Sequence, residues 1–428
     1  MAPQPRALCA SAGQPTSSAE RIVELDIVRG FALFGVLIAN LVLFSISANI
    51  ATGAQQQSFF AAPDNQLTLF LVIWLVDDKA STLFAILFGM GFWLQWARLQ
   101  RRGSNAGLVY SKRLLILLAI GALNLFLVWP WDILQQYALV GFLLLILRRL
   151  PSRWMLVSGI ALSIAGKPLA EWWLEQAGVT AVSDRTVFSS AAILQRQAAY
   201  VEGTYSEWLQ ATSQLVLNDY LASGAILAWV LYVLGRFLLG AYIMREDWLD
   251  RAMCSPRATG RFAFAMIICG LALEAAQTSM LLGFVTAPEA LHIAAHALGA
   301  PILAFGYAAA VIKGLQSGPS GWILRLFQPV GQMALTNYLV QGIFIGVLLY
   351  GFHGGFALAG TLQPVLAAQL SIGFFAMQII ASHLWFWRFT RGPVEALWRK
   401  GTYGSGGRVD VRPSKQNRSV SCDTDRPH

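Results

Sequence analysis

Apolar residues come along this chain in runs long enough to cross a bilayer, separated by short polar connections. A crossing helix needs roughly 20 consecutive apolar residues. Such runs occupy Leu25–Phe44, Ser81–Trp96, Leu114–Val128, Ile133–Leu147, Met155–Leu169, Ser223–Met244, Phe262–Val285, Leu291–Val311, Val330–Tyr350 and Leu362–Trp387. The pattern predicts an all-α, polytopic membrane bundle of about ten transmembrane helices. One stretch exceeds a single crossing. Leu67–Ala97 is interrupted by Asp77, Asp78 and Lys79, which predicts a short or re-entrant segment over Leu67–Val76 and then a span. A charged break at membrane depth needs protein or water around it; the other reading is one tilted helix with the charges at an interface. Within that span, the small residues of Phe88–Phe92 suit close helix contact.

The first run organises the rest because it carries polar side chains. Asp26 precedes Arg29 by three residues, so the two can pair on one face. Arg29 and Asn40 lie about three turns apart, on the same stripe and roughly 16 Å apart along the axis. Such a stripe is expected to face the bundle interior or a wet cavity, with headgroup anchoring as the other reading for Asp26 and Arg29.

Composition agrees. The chain has 428 residues, 56% hydrophobic and 12% charged, against about a quarter charged in soluble domains. The formal net charge of +9 comes from loops. Basic connections (Arg98–Arg113, Arg148–Arg153, Arg245–Arg261) alternate with poorly charged ones such as Ser47–Asn65. That alternation is topology control, not a nucleic-acid face, and places both termini in the cytoplasm. It divides the chain into an N-terminal segment over residues 1–20, expected to be disordered, and a transmembrane domain over 21–403. Within that domain, residues 170–222 form an extracytoplasmic region with one or two surface helices. A basic tail over 404–428 is also expected to be disordered. The N-terminal segment lacks the apolar core of a signal peptide. The four cysteines have no paired spacing, so neither a disulfide framework nor a zinc site is expected.

Several polar groups remain inside apolar runs. Asp77, Asp78 and Lys79 fit either a neutralised cluster or an anion- or proton-handling site. Asn124 and Asp132 flank a tight turn, followed by Gln135, Gln136 and Tyr137; Asp132 can also cap the next helix. Arg236 is expected to pair with a carboxylate such as Glu274 or to snorkel. His292 and His296 sit one turn apart without a third metal ligand, so polar packing is expected there and no metal. Thr336, Asn337, Tyr338 and Gln341 form a stripe suited to interhelical hydrogen bonding. His353 lies in a glycine-rich turn and His383 near the end of the last span. No phosphate-binding glycine loop, zinc motif or nucleophile elbow occurs.

Five ordered motifs carry a family resemblance over about Arg21–Gly404: LDIVRGFALFGVLIAN, KASTLFAILFGMGF, KRLLILLAIGALNLFLVWPWDILQQYALVGF, PVGQMALTNYLVQ and SHLWFWRFTRGPVEALWRKGTYG. The chain resembles the YeiB-like family of bacterial multi-pass membrane proteins, grouped with transmembrane acyltransferases. The resemblance implies a cytoplasmic-membrane protein that moves an acyl group from a cytoplasmic donor such as acetyl-CoA to an extracytoplasmic glycan or small-molecule acceptor. It implies no tightly bound cofactor, and membrane lipids as surroundings. Glycan O-acyltransferases carry His where this chain has Asn40. YeiB-like proteins often carry His at the place of Asn124 and Arg at that of Gln332. On this reading Arg29 and Lys79 hold the donor's phosphates or pantetheine end, with Asp26, Tyr137, Asn337 and His383 as further donor-binding candidates. Asn40 hydrogen-bonds the carbonyl under attack, and His353, His292 and Asp132 are candidate bases. Two other classes stay open. A transporter fits the broken segment and buried charges, although the halves show no internal repeat; the third reading is a non-catalytic scaffold.

Overall fold

The computed structural model describes residues 22–101, 105–179, 187–316 and 318–403, with the backbone alone at 318–320 and 353. The segments expected to be disordered, 1–20 and 404–428, lie outside the described residues. Every regular element among the described residues is helical. Among the described residues, six helices are long and apolar enough to cross a membrane: α1 (Val23–Ser45), α5 (Ala106–Leu127), α11 (Ala225–Arg245), α13 (Pro256–Leu281), α14 (Glu289–Leu315) and α18 (Pro364–Arg388). A seventh crossing is counted if Gly321–Gln332 and Ala334–Leu349, which meet at 83°, form one broken span. The other apolar runs depart from an uninterrupted crossing for visible reasons. Helix α4 (Lys79–Arg101) carries Lys79, Arg98 and Arg101 at its ends. Helix α6 (Leu134–Leu147) has only 14 residues. Helices α7 (Ser152–Ala161) and α8 (Lys167–Gln176) are joined through a π-helical turn, Leu162–Gly166.

Burial sorts the crossings. Helices α1 and α11 are 56% and 61% enclosed over their apolar windows, against 22–28% for α5, α13 and α18. Apolar surface on the outer helices needs no protein cover in lipid, so the most enclosed helices mark the bundle's centre. Helix α11 packs along α4, and α13 pairs with α14 as a hairpin. Helix α1 lies against α4, α18 and the short α16 (Gln328–Gln332). At the α4–α11 crossing, a side chain at Gly89 or Gly240 would run into the facing backbone at Phe237 or Ile86. The small residues expected to allow close contact therefore do so.

The helix break is where the sequence placed it. Helix α3 (Pro63–Leu75) ends before Val76, and α4 restarts at Lys79. Asp78 turns the chain with φ of +60°, a region that a short polar residue tolerates. Two surface helices, α9 (Ser190–Val201) and α10 (Tyr205–Leu215), occupy the long polar connection, followed by a π-helical turn over Val216–Ala222. Helix α17 (Ala334–Leu349) and the final α19 (Pro393–Tyr403) complete the chain.

Candidate functional site: two cavities along the first helix

Two cavities open at different levels of α1. One, of about 320 Å³, takes in Ile22, Asp26 and Arg29 near the N-terminal end of α1. The other, of about 340 Å³, takes in Leu33 to Phe44, with Asn40 among them, and the Ser47–Asn49 turn. The helical spacing of Arg29 and Asn40 thus puts them in successive cavities. Phe84, Tyr137 and Tyr338 line both, forming a shared wall.

The Arg29 cavity is strongly basic. Arg29, Arg98, Arg113, Arg391 and Arg399 line it, against Asp26 and Glu395. Arg29 donates to Asp26 over 2.9 Å, the pair expected from their spacing. Helix α19 forms one side. Its Trp398 stacks under the Arg113 guanidinium, 3.6 Å from ring centre to guanidinium carbon, and donates its indole N–H to the Arg113 carbonyl. Glu395 accepts from the Thr336 amide at 3.0 Å and hydroxyl at 2.6 Å. A cavity with five guanidiniums and stacking aromatics suits a phosphate-bearing ligand with a flat ring.

The Asn40 cavity is mixed. Trp129, Trp131 and Trp229 give it aromatic sides, while Asn40, Asp77, Asp78, Asp132 and Gln136 bring polar atoms. Asp132 sits in the turn between α5 and α6, almost wholly buried. Its carboxylate accepts from Asn124 at 2.9 Å and from the amide of Leu134, the first residue of α6, at 3.0 Å, although the N-cap position itself is Ile133. Burial nonetheless pushes its carboxyl up to about 7, against those hydrogen bonds. Tyr220, on the π-helical turn after α10, reaches the same cavity and accepts from Gln136. Where wall and site meet, the Tyr338 hydroxyl accepts from the Ile133 amide and the Tyr137 hydroxyl points to the Ser81 carbonyl.

The remaining expected residues go elsewhere. Lys79 lines neither cavity: its ammonium is fully buried, paired with Glu274 and bonded to the Ile73 carbonyl at 2.7 Å. Arg236, expected opposite Glu274, instead faces Asp78 at 3.5 Å. The break explains the exchange, because it sends the adjacent Asp78 and Lys79 to different partners. Asn337 joins α16 to α18 through Val330 and Ser382, the structural role its stripe suggested. His383 lies 2.9 Å from the Ile379 carbonyl within its own helix, and His292 meets Gln277 at 3.0 Å. Neither lines either of these two cavities. The His353 side chain lies outside the described residues. Sequence reasoning missed Arg113, Arg391, Arg399, Glu395 and Trp398 as a site. Their signal, loop arginines with a C-terminal Trp, is indistinguishable from topology control until α19 folds back.

Residues 243–405 match the family described as a protein of unknown function, DUF418. A Bacillus subtilis relative, described as uncharacterized protein YxaH, is 29% identical over 409 residues, covering 91% of this chain and 96% of the relative. The uncharacterized Escherichia coli protein YeiB is 30% identical over 403 residues, covering 92% of this chain and its own whole length. The chain belongs to the YeiB-like family. The matches to these relatives run over nine-tenths or more of each chain, not over one fragment of it. No solved structure matches.

Proposed function

We propose that this YeiB-like chain is a membrane acyltransferase working across its shared wall. The observation that carries the reading is the pair of cavities, one strongly basic and one mixed, meeting at Phe84, Tyr137 and Tyr338. In this reading the protein spans the bacterial cytoplasmic membrane about ten times with both termini inside, as the charge alternation implies. The basic Arg29 cavity then opens to the cytoplasm and takes a phosphate-bearing acyl thioester of the acetyl-CoA class. The Asn40 cavity takes a hydroxyl- or amine-bearing acceptor from the far side, a glycan or smaller molecule.

Roles follow from placement. The acceptor's O–H or N–H gives its proton to the Asp132 carboxylate as its oxygen or nitrogen attacks the acyl carbonyl. The Asn40 amide donates a hydrogen bond to the oxyanion that forms. The C–S bond breaks and the thiolate leaves toward the arginines. A base titrating near 7 suits proton abstraction at neutral pH, and Asp132 takes the place left by the histidines absent at Asn40 and Asn124. Lys79 has no donor role here.

The test uses purified protein in detergent with acetyl-labelled CoA and a panel of amino sugars. Transfer of label above a boiled control supports the reading, and loss of CoA binding in Arg29→Ala locates the donor. No transfer, together with CoA-independent passage of a solute across proteoliposomes, would overturn it in favour of transport through the same wall.

A further inference from the structure

The charged residues at the helix break are not used by this chemistry. Five elements bring them together: the α3–α4 break gives Asp77, Asp78 and Lys79; α11 gives Arg236, α13 Glu274 and α14 His296. The contacts form a chain. Arg236 faces Asp78 Oδ2 at 3.5 Å, Asp78 Oδ2 faces His296 Nε2 at 3.4 Å, and His296 Nδ1 faces Glu274 Oε1 at 3.3 Å. Glu274 closes the chain on Lys79. Asp77 and Asp78 line the Asn40 cavity, so the chain reaches it at Asp78.

Charge balance decides what the chain can bind. Three carboxylates face two permanent cations, Lys79 and Arg236. With a neutral imidazole the cluster carries −1, and with one added proton it carries zero. Burial disfavours the net charge. The other polar groups nearby do not alter the sum. Lys167 pairs with Glu171 at 3.8 Å, the Tyr232 ring lies under Arg236, Tyr307 donates to the Leu75 carbonyl, and His292 meets Gln277. Imidazole is also the one member that can donate to both flanking carboxylates at once, through Nε2–H and Nδ1–H.

We infer that Asp77, Asp78, His296 and Glu274, with Lys79 and Arg236 as fixed counter-charges, form a one-proton binding site continuous with the Asn40 cavity. Its ligand is a proton, held on His296 between two carboxylates. When the proton leaves, the imidazole keeps a single N–H and releases one carboxylate. That carboxylate, Asp78 at the helix break or Glu274 on α13, is then left with its fixed cation alone, Arg236 or Lys79. The site therefore ties the packing of α14 against the break, and the polar wall of the Asn40 cavity, to the occupancy of one proton. The inference rests on the cluster and holds whether the cavities serve acyl transfer or transport.

The experiment reads histidine charge directly. Protein labelled with ¹³C at histidine Cε1 is reconstituted in lipid nanodiscs, and His296 is assigned by loss of its signal in His296→Gln. At pH 7 the parent should show His296 as imidazolium. Glu274→Gln and Asp78→Asn each balance the cluster without a proton, so both should lose the imidazolium signal at pH 7. Lys79→Gln does the reverse and should hold the imidazolium to higher pH, which keeps the test alive if a carboxylate variant misfolds. A neutral His296 in the folded parent at pH 7, an imidazolium that survives both carboxylate substitutions, or its loss in a folded Lys79→Gln would overturn the assignment.

Discussion

In the proposed transfer Asn40 and Asp132 would divide oxyanion stabilisation and proton abstraction between them, and the division is measurable. An amide cannot hand on a proton near pH 7, but it can donate to a developing oxyanion. Asn40→Ala should therefore lower turnover about a hundredfold or more, the scale of an oxyanion donor, with an unchanged pH profile. Asp132 should set that profile. Only its ionised form accepts a proton, and burial pushes its carboxyl up to about 7, so turnover should rise as pH passes upward through that value. Asn124 donates to the ionised carboxylate at 2.9 Å and so favours it. Asn124→Ala should then move the rise to higher pH, read from initial rates between pH 5.5 and 9. A rise that stays put in Asn124→Ala would take Asp132 out of the base's role.

Helices meet here through backbone contact at small residues, and the consequence is position-specific. At Gly89 a methyl group has no space beside the Phe237 backbone, whereas at Gly373 on α18 nothing lies within 4 Å. Gly89→Ala should cost about 1–3 kcal/mol through overpacking. Gly373→Ala should be neutral or stabilise by up to roughly 1 kcal/mol, since alanine is the better helix former. Melting of the two variants in the same detergent compares them, and equal melting temperatures would contradict the packing.

The same elements mark what could be read beforehand. The α3–α4 break, the Asp26–Arg29 pair, the surface helices after Glu171 and the contact at Gly89 were legible because each follows from local spacing or composition. The arginine cavity was not. It forms only when α19 returns to α5 and lays Trp398 against Arg113, a contact between residues 285 positions apart. Nor could sequence decide whether Arg236 or Lys79 meets Glu274, because three helices of similar apolarity leave that choice to tertiary packing.

At the scale of the whole molecule, the two cavities acquire a direction only through the orientation of the bundle. Arg98, Arg113, Arg391 and Arg399 all border the Arg29 cavity. Basic residues beside membrane spans are retained on the cytoplasmic side, so that cavity should face the donor pool. The surface helices lie at the other cavity. Arg196 of α9 donates to the Asn49 carbonyl at 2.5 Å, and Asn49 lines the Asn40 cavity. A reporter inserted at Ser104, in the connection before α5, should therefore report cytoplasm, and one at Ser189, before α9, the far side. Enzymatic reporters active on only one side of the membrane read this directly. Between these positions the ten-span arrangement places three crossings, an odd number, so opposite sidedness follows from it. The same sidedness at both insertions would remove one crossing, put both cavities' mouths on one face, and leave no wall for a group to cross.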